Sequence, residues 1–329
     1  MSHILHLGHQ PTDISGIAGA ISTLAAGFDN TLDVNGIHFF GTRSVAAPFA
    51  VGFPAPAGDM WLGFRYVPPN GDAGNITMAN AGFLEFFDAD NVRIARVRPL
   101  TSTSRYHAEA HGDTVEQGSS SYVAPNGLPQ WVDVRLSVGA NITIEFHVDG
   151  VLQSAATAAN TGGKGKPVQI IFTNTALHGV IQARDWYYAH IAVLDGVSTI
   201  GRRFVRRSPN AIATFNEMVG SIDALKDGDI GTRVASTAAG QRMSFSLTGP
   251  ATVSAIAGVH IKQIAQAGSD GPQATAGFLR MGGVNHDATP VTVPDLAPIP
   301  VYSSWAVNPA DASPWSDLTL PTEVGILSA

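Results

Sequence analysis

Apolar and polar residues alternate along this chain with a period of two far more often than they recur at helical spacing. Trp131 to Val138 (WVDVRLSV) places Val132, Val134, Leu136 and Val138 on one face. Ile142 to Val148 (ITIEFHV) repeats the pattern with Ile142, Ile144, Phe146 and Val148. Successive side chains of a strand point to opposite sides of a sheet, so each run predicts a half-buried strand. Folding one run onto the other across Gly139-Ala140-Asn141 sets Val138 against Ile142, Leu136 against Ile144, Val134 against Phe146 and Val132 against Val148. Apolar residues then meet apolar partners, while Asp133, Arg135, Thr143, Glu145 and His147 face the other way. Asp149-Gly150 supplies the next turn.

The same grammar predicts further strands. Met60, Leu62, Phe64 and Tyr66 alternate before Pro68-Pro69, and Phe83–Phe87 and Val92–Val97 flank an Asp88-Ala89-Asp90-Asn91 turn. Val168–Phe172 and Tyr188–Leu194 read as buried strands, as do Met243–Leu247 and the alternation from Val253 to Ile261. Turn signals recur roughly every ten residues, which points to a sandwich rather than alternating β and α units. Two segments depart from this pattern. Ile14, Ile17, Ile21 and Leu24 share one helical face, so residues 1–27 are expected to form an arm or anchoring helix. Ser208-Pro209 resembles a helix cap and first turn, with Ile212, Phe215 and Val219 following at helical spacing. The arginine-rich stretch from Arg202 to Arg207 lies between two all-β units, expected at 28–206 and 207–329.

Composition narrows the function classes. Apolar residues make up 44% and charged residues 14%, against an average near 25% for charge, so a large core is available and disorder is not expected. The 35 glycines and 20 prolines fit many turns. A net charge of −7 with only four lysines argues against nucleic acid as a partner. Without cysteine there is no disulfide framework, Cys-zinc site or thiol nucleophile. The segment Ile14–Phe28 is apolar but no basic stretch precedes it, and no other run nears the ~18 residues of a membrane helix, so membrane insertion is not expected.

The chemistry-bearing candidates are few. His107, Glu109 and His111 (HAEAH) share a strand face and offer metal ligands, although a solvated polar face is the plainer reading. Asp88, Asp90 and Asn91 offer oxygen ligands to Ca²⁺ at a loop tip that also reads as a simple turn. Glu85, Asp88, Asp90 and Glu109 are the acids nearest to a glycoside-hydrolase pair, without a complete catalytic motif. Trp61, Tyr106, Trp131 and Trp186 are the candidate carbohydrate-binding residues, because a flat apolar ring complements a pyranose face. Trp61 and Trp131 fall on the polar faces of their strands, which favours them. No residue stands out as catalytic.

The run WVDVRLSVGANITIEFHVDGVLQ resembles the strand, turn, strand, Val-Asp-Gly signature of concanavalin A-like (laminin G-type) jelly rolls. Phe83–Asp88 and Trp186–Asp195 sit where such domains have an earlier hairpin and a closing strand. DGDIGTRVAS from Asp227, the stretch from Val253 to Gly283, and VYSSWAVNPADASPWSDLTLPTEVGI, with Asn308-Pro309 and Trp315, resemble a module of phage and gene-transfer-agent virion proteins. The resemblance implies an all-β chain: a concanavalin A-like jelly-roll sandwich followed by a second, smaller β-sandwich. It further implies a head spike or tail fibre, assembled in the bacterial cytoplasm and released in the virion by lysis. Its partners would be host capsule or another surface polysaccharide, other virion proteins and further copies of itself. The alternatives are a structural adaptor or decoration protein without glycan affinity, and a polysaccharide-degrading hydrolase.

Overall fold

The computed structural model describes residues 4–8, 14–16, 21–23, 37–41, 49–67, 83–99, 105–122, 129–172, 184–205, 207–225, 231–247, 256–295 and 297–329. The chain divides into two compact units between Phe204 and Val205. Both are built from antiparallel sheets, in agreement with the all-β sandwich expected from the alternation.

The first unit opens with β1 (Ile4–Gly8), β2 (Ser15–Gly16), β3 (Ile21–Thr23), β4 (Ile37–Gly41) and β5 (Phe49–Gly52). Its middle runs β6 (Met60–Val67), β7 (Leu84–Phe87), β8 (Arg93–Pro99), β9 (Tyr106–His111) and β10 (Val115–Gln117). It closes with β11 (Gln130–Val138), β12 (Asn141–Val148), β13 (Val151–Ala159), β14 (Gln169–Phe172) and β15 (Arg184–Asp195). One sheet has the order β13-β12-β11-β6-β15-β4-β3, with β1 also paired to β15; the other has the order β10-β9-β8-β7-β14-β5-β2. The chain passes repeatedly between the two sheets, as a jelly roll does.

The β11–β12 hairpin has the register read from its sequence, with Val138 opposite Ile142 and Val132 opposite Val148. Asp149 and Gly150 both have positive φ, 49° and 80°, the signature of the two-residue turn that matches strand twist. Phe49, Phe64, Tyr66, Phe83, Phe86, Phe146, Phe172 and Tyr188 fill the space between the sheets and are fully buried. Most of these rings meet edge-on or tilted, as Phe64 and Phe172 do at 5.3 Å and 76°, while Phe49 stacks on Phe172 at 4.3 Å and 7°.

In the segment expected to form an arm or anchoring helix, the described residues 4–8, 14–16 and 21–23 hold strands and no helix. Ser15–Gly16 pairs with β5 and Ile21–Thr23 with β4, so the segment extends both sheets at their edges. Glycines at 16 and 19 weaken a helix by about 1 kcal/mol each, and the open sheet edges offer the β-branched residues a better partner.

In the second unit, β16 (Pro209–Asn216), β17 (Arg242–Leu247), β18 (Val259–Ala265) and β19 (Ala274–Met281) are followed by β20 (Val284–Asp287), β21 (Val291–Thr292), β22 (Ile299–Trp305) and β23 (Glu323–Ser328). The main sheet has the order β16-β17-β23-β19-β20 with β21 also on β19, and β18 and β22 form a separate ribbon. The helix expected after Ser208-Pro209 is the edge strand β16, held to β17 through two irregularities. Glu323 pins it by accepting from the Thr214 backbone N–H and hydroxyl, at 3.1 and 2.9 Å. A tertiary partner thus overrides a weak helical spacing. The strand expected from Val253 begins at Val259; residues 253–255 lie outside the described residues. Trp315 closes the core of this unit, its indole N–H donating to the Trp305 carbonyl at 2.8 Å.

At one end of the first unit the two sheets touch backbone to backbone. A Cβ on Gly112 would lie 2.0 Å from the Ala159 carbonyl oxygen, and one on Gly118 2.1 Å from that of Ala155. Asp113 and Ser154 add cross-sheet hydrogen bonds here, Asp113 N–H to the Ala159 carbonyl at 2.7 Å and Ala108 N–H to the Ser154 hydroxyl at 3.1 Å. Gly112→Ala and Gly118→Ala are each expected to cost about 1–3 kcal/mol through forced separation of β9–β10 from β13. Chemical denaturation curves of the two variants measure this, with the surface change Gly139→Ala, which meets nothing within 4 Å, as the control.

Candidate functional site

Because the space between the sheets is apolar, the polar side chains of the first unit collect on the two outer faces. On the face built from β7 to β10, the Glu109 carboxylate is almost fully buried. It accepts from Arg98 Nε at 2.5 Å, from Arg96 Nε, and from His111 Nε2 at 3.3 Å. Register explains the grouping: Arg96 stands opposite Glu109 and Arg98 opposite His107. His107 Nδ1 lies 2.6 Å from the Gly118 carbonyl, which makes it the donor there. Burial alone would raise the Glu109 carboxyl, but the hydrogen bonds from His111, Arg96 and Arg98 outweigh it and bring it down to about 2.

This corrects the reading of His107, Glu109 and His111 as a solvated face: all three are buried. Glu109 is held ionised by its arginines, which opposes the proton donation a glycosidase acid must perform. Glu85 is likewise engaged, accepting from Arg93 at 2.6 Å. The Asp88 carboxylate accepts backbone N–H groups of Asp90 at 3.1 Å, Val92 at 2.9 Å and Gly165 at 3.1 Å. Asp90 and Asn91 are exposed, and Asn91 has φ of 58°, so the loop is a side-chain-stabilised turn tied to the 162–166 loop. Among the described residues no three His, Asp or Glu side chains are grouped to hold a metal ion.

The other outer face carries the tryptophans. On β6 the outward residues are Trp61, Gly63 and Arg65; on β11 they are Trp131, Asp133 and Arg135. Trp61 stands opposite Arg135, Gly63 opposite Asp133, and Arg65 opposite Trp131. The two indoles are therefore four residues apart in register, about 13 Å along the strands. Both are half-buried. Arg135 bridges Asp59 at 2.7 Å and Glu145 at 3.1 Å beside Trp61, and His147 lies 6.2 Å from the Trp61 ring.

A strap, residues 196–204, runs over the middle of this face. Its root is fixed by Asp195, whose carboxylate accepts the Ala57 and Gly58 N–H groups at 2.8 and 2.7 Å. Its centre rests on Gly63, where a Cβ would come within 2.7 Å of Thr199 Cβ and 3.0 Å of Asp133 Oδ1. Its end lays the Arg203 guanidinium 3.5 Å from the centre of the Trp131 ring and Phe204 4.9 Å from His190. Arg65 approaches the same indole at 4.9 Å. His190 sits in a bulge of β15 between Ala189 and Ala192, with φ of 53°, and its ring is 5.5 Å from Trp131. Bulges re-aim side chains at a sheet face, and here the bulge fills the flank of Trp131.

Beneath the strap, Asp133 is fully buried, and neither of its oxygens makes a hydrogen bond of good geometry. Burial pushes its carboxyl up, against the lowering influence of Thr199, Arg203 and His147.

Of the predicted sugar-stacking residues, the structure brings Trp61 and Trp131 to one face. Tyr106 is corrected: it points between the sheets against Phe83 and Phe146, and burial raises its hydroxyl to about 12. The backbone of Trp186 pairs with Phe39, and its side chain lies outside the described residues. Sequence reasoning missed the strap; Gly63 within a strand was the available signal, since such a glycine often marks close approach of another backbone.

No family model and no curated protein matches the chain. Among solved structures it is similar to an endo-β-1,4-glucuronan lyase from the fungus Trichoderma reesei, at 10% identity and TM-score 0.46 over 59% of this chain and 94% of that one. It is also similar to a carbohydrate esterase from the Shiga toxin-encoding bacteriophage phi24B, at 10% identity and TM-score 0.42 over 60% and 99%. A third is the binding domain of botulinum neurotoxin serotype D/C, at 9% identity and TM-score 0.42 over 87% and 73%.

Two expectations follow from the charges. Because the Glu109 carboxyl lies below its ordinary 4.5, its stabilising contribution is complete above that value and is lost as pH falls from about 4.5 through about 2. Glu109→Gln should remove about 3 kcal/mol at pH 7, by stranding two arginines, and flatten the acid limb of stability against pH. Asp133 carries the opposite sign: its raised carboxyl favours the fold at low pH and penalises it as pH rises. Asp133→Asn should therefore raise the melting temperature at pH 7, with the gain vanishing below about pH 4.

Proposed function

We propose that the chain is a non-catalytic carbohydrate-binding component of a virion, a spike or fibre that attaches the particle to host surface polysaccharide. The observation that carries this reading is the pairing of Trp61 with Arg135, Glu145 and Asp59 on an outer sheet face. A half-exposed indole offers an apolar plane, and the charged groups around it offer hydrogen bonds at its edge. Those are the two kinds of contact a sugar ring needs. Such contacts are individually weak, so attachment rests on several copies displayed together, which raises the effective concentration of the second and later contacts. The engagement of Glu85, Asp88 and Glu109 in ion pairs and turn hydrogen bonds favours binding over hydrolysis as the role of this unit.

The test is retention of the full chain on capsule or lipopolysaccharide from candidate host strains, with native mass measured in parallel. Trp61→Ala is expected to weaken retention about tenfold, the loss of roughly 1.4 kcal/mol of aromatic contact, with a cooperative melting curve showing that the variant is still folded. An oligomer that binds is the expected result. A monomer that binds no polysaccharide overturns the proposal, and release of reducing ends from the polysaccharide would replace it with the hydrolase reading.

A further inference from the structure

The region around Trp131 differs in chemistry from that around Trp61, and the difference specifies a ligand class. Two guanidiniums lie against the Trp131 ring, Arg203 at 3.5 Å and Arg65 at 4.9 Å. Arg202, the next residue on the strap, is exposed. The acids nearby are fewer than the arginines. Asp133, sealed beneath Thr199, and the exposed Asp149, which accepts the Trp131 backbone N–H at 2.9 Å, offset two of the three arginine charges and leave one in excess. The region is thus locally cationic in a chain whose net charge is −7. With Arg203 on its face, Trp131 acts as a backing plate rather than as an open stacking surface for sugar. Stacking fixes the guanidinium plane, and the strap fixes its position, Arg203 Nη1 donating to the Thr199 carbonyl at 3.3 Å. Nη1 also donates to the Arg202 carbonyl at 2.5 Å, so the guanidinium held in place presents its remaining donors to a planar anion with little entropy left to lose.

We infer that the Arg65–Trp131–Arg203 cluster is the subsite that binds the acidic group of an anionic polysaccharide, a uronate carboxylate or a sulfate ester. The inference rests on the glycan-binding reading and names its substrate class. Trp61, about 13 Å away along the same face, would take a second sugar of the same chain, so the face reads an alternation of charge and apolar ring rather than a single residue.

The experiment is affinity electrophoresis of the full chain in gels containing polygalacturonate, dextran sulfate or neutral dextran, at low and at physiological salt. Retardation by polygalacturonate, dextran sulfate or both, weakened by salt and absent with dextran, is the expected result, and the two acidic gels distinguish carboxylate from sulfate. Arg203→Ala and Arg65→Gln should each weaken it about tenfold, as the loss of one charge-assisted hydrogen-bonded contact does, and Arg203→Lys should recover only part. Melting temperatures confirm that each variant is folded; Trp131→Phe, which keeps a ring beneath the guanidinium, retains most of the binding. Equal retardation by dextran, or acidic-gel retardation unchanged in both folded arginine variants, overturns the inference while leaving the glycan-binding reading in place. Absence of retardation in all three gels, together with no retention on host polysaccharide, overturns both.

Discussion

The aromatic layer between the sheets of the first unit is the constraint from which its other features follow. Phe64, Tyr66, Phe83, Phe86, Phe172 and Tyr188 come from β6, β7, β14, β15 and the approach to β7, and all are fully buried. They bring together strands far apart in sequence, and their faces leave no room for a charged group. Since side chains alternate along a strand, committing one face of each sheet to this layer commits the other face to everything polar. The chemistry of the unit is therefore surface chemistry on two flat platforms, and its character depends on what covers each platform.

The two platforms meet the cost of crowded charge in different ways. On one, Glu109 has two arginines and a histidine within hydrogen-bond reach, so its burial is matched by partners and the carboxylate stays ionised. On the other, Asp133 is sealed by a strap that gives it no well-formed hydrogen bond. A buried carboxylate in that condition destabilises the fold unless it takes up a proton. The strap is held instead at its ends, by Asp195 on the backbone of Ala57 and Gly58 and by Arg203 on Trp131. Stability has been given up at Asp133 on the same face where the tryptophans stand, a pattern more often associated with sites than with scaffolding.

The strands were legible because they are local. Alternation in β11 and β12 determined their existence and the parity of their pairing, and the short turn at Gly139-Ala140-Asn141 fixed which register of that parity is taken. The described residues at Ile14 and after Ser208, both read at helical spacing, include strand for a non-local reason: they lie along a sheet edge that the sequence does not advertise. The candidate site divides in the same way. The outward placement of Trp61 and Trp131 follows from parity along their strands, and Tyr106 obeys the same rule in the opposite sense, its neighbours Ala108 and Ala110 sharing its inward face. The burial of Glu109 required knowing that Arg96 lies beside it, which depends on the β8–β9 register across a segment with no clear turn signal. The strap over Asp133 joins residues 66 positions apart, and no periodicity reports that.

The preference for arginine over lysine, four lysines among 19 basic residues, acquires a reason at this level. Arg135 reaches Asp59 and Glu145 at once, Arg242 makes a paired contact with Asp287 at 2.7 Å through two nitrogens, and Arg242, Arg280 and Arg203 each lie against an aromatic ring. Each of these uses the planarity of the guanidinium, which an ammonium lacks. Sheets with flat outer faces and few charges gain most from a cation that can lie flat, covering a ring with its plane while keeping donors at its edge. The same geometry that lets arginine hold a strap or an edge strand in place also leaves donors directed outward. On the Trp131 face the side chain that ties the strap to the sheet, Arg203, is thus also one whose position is fixed by stacking and by the Thr199 carbonyl.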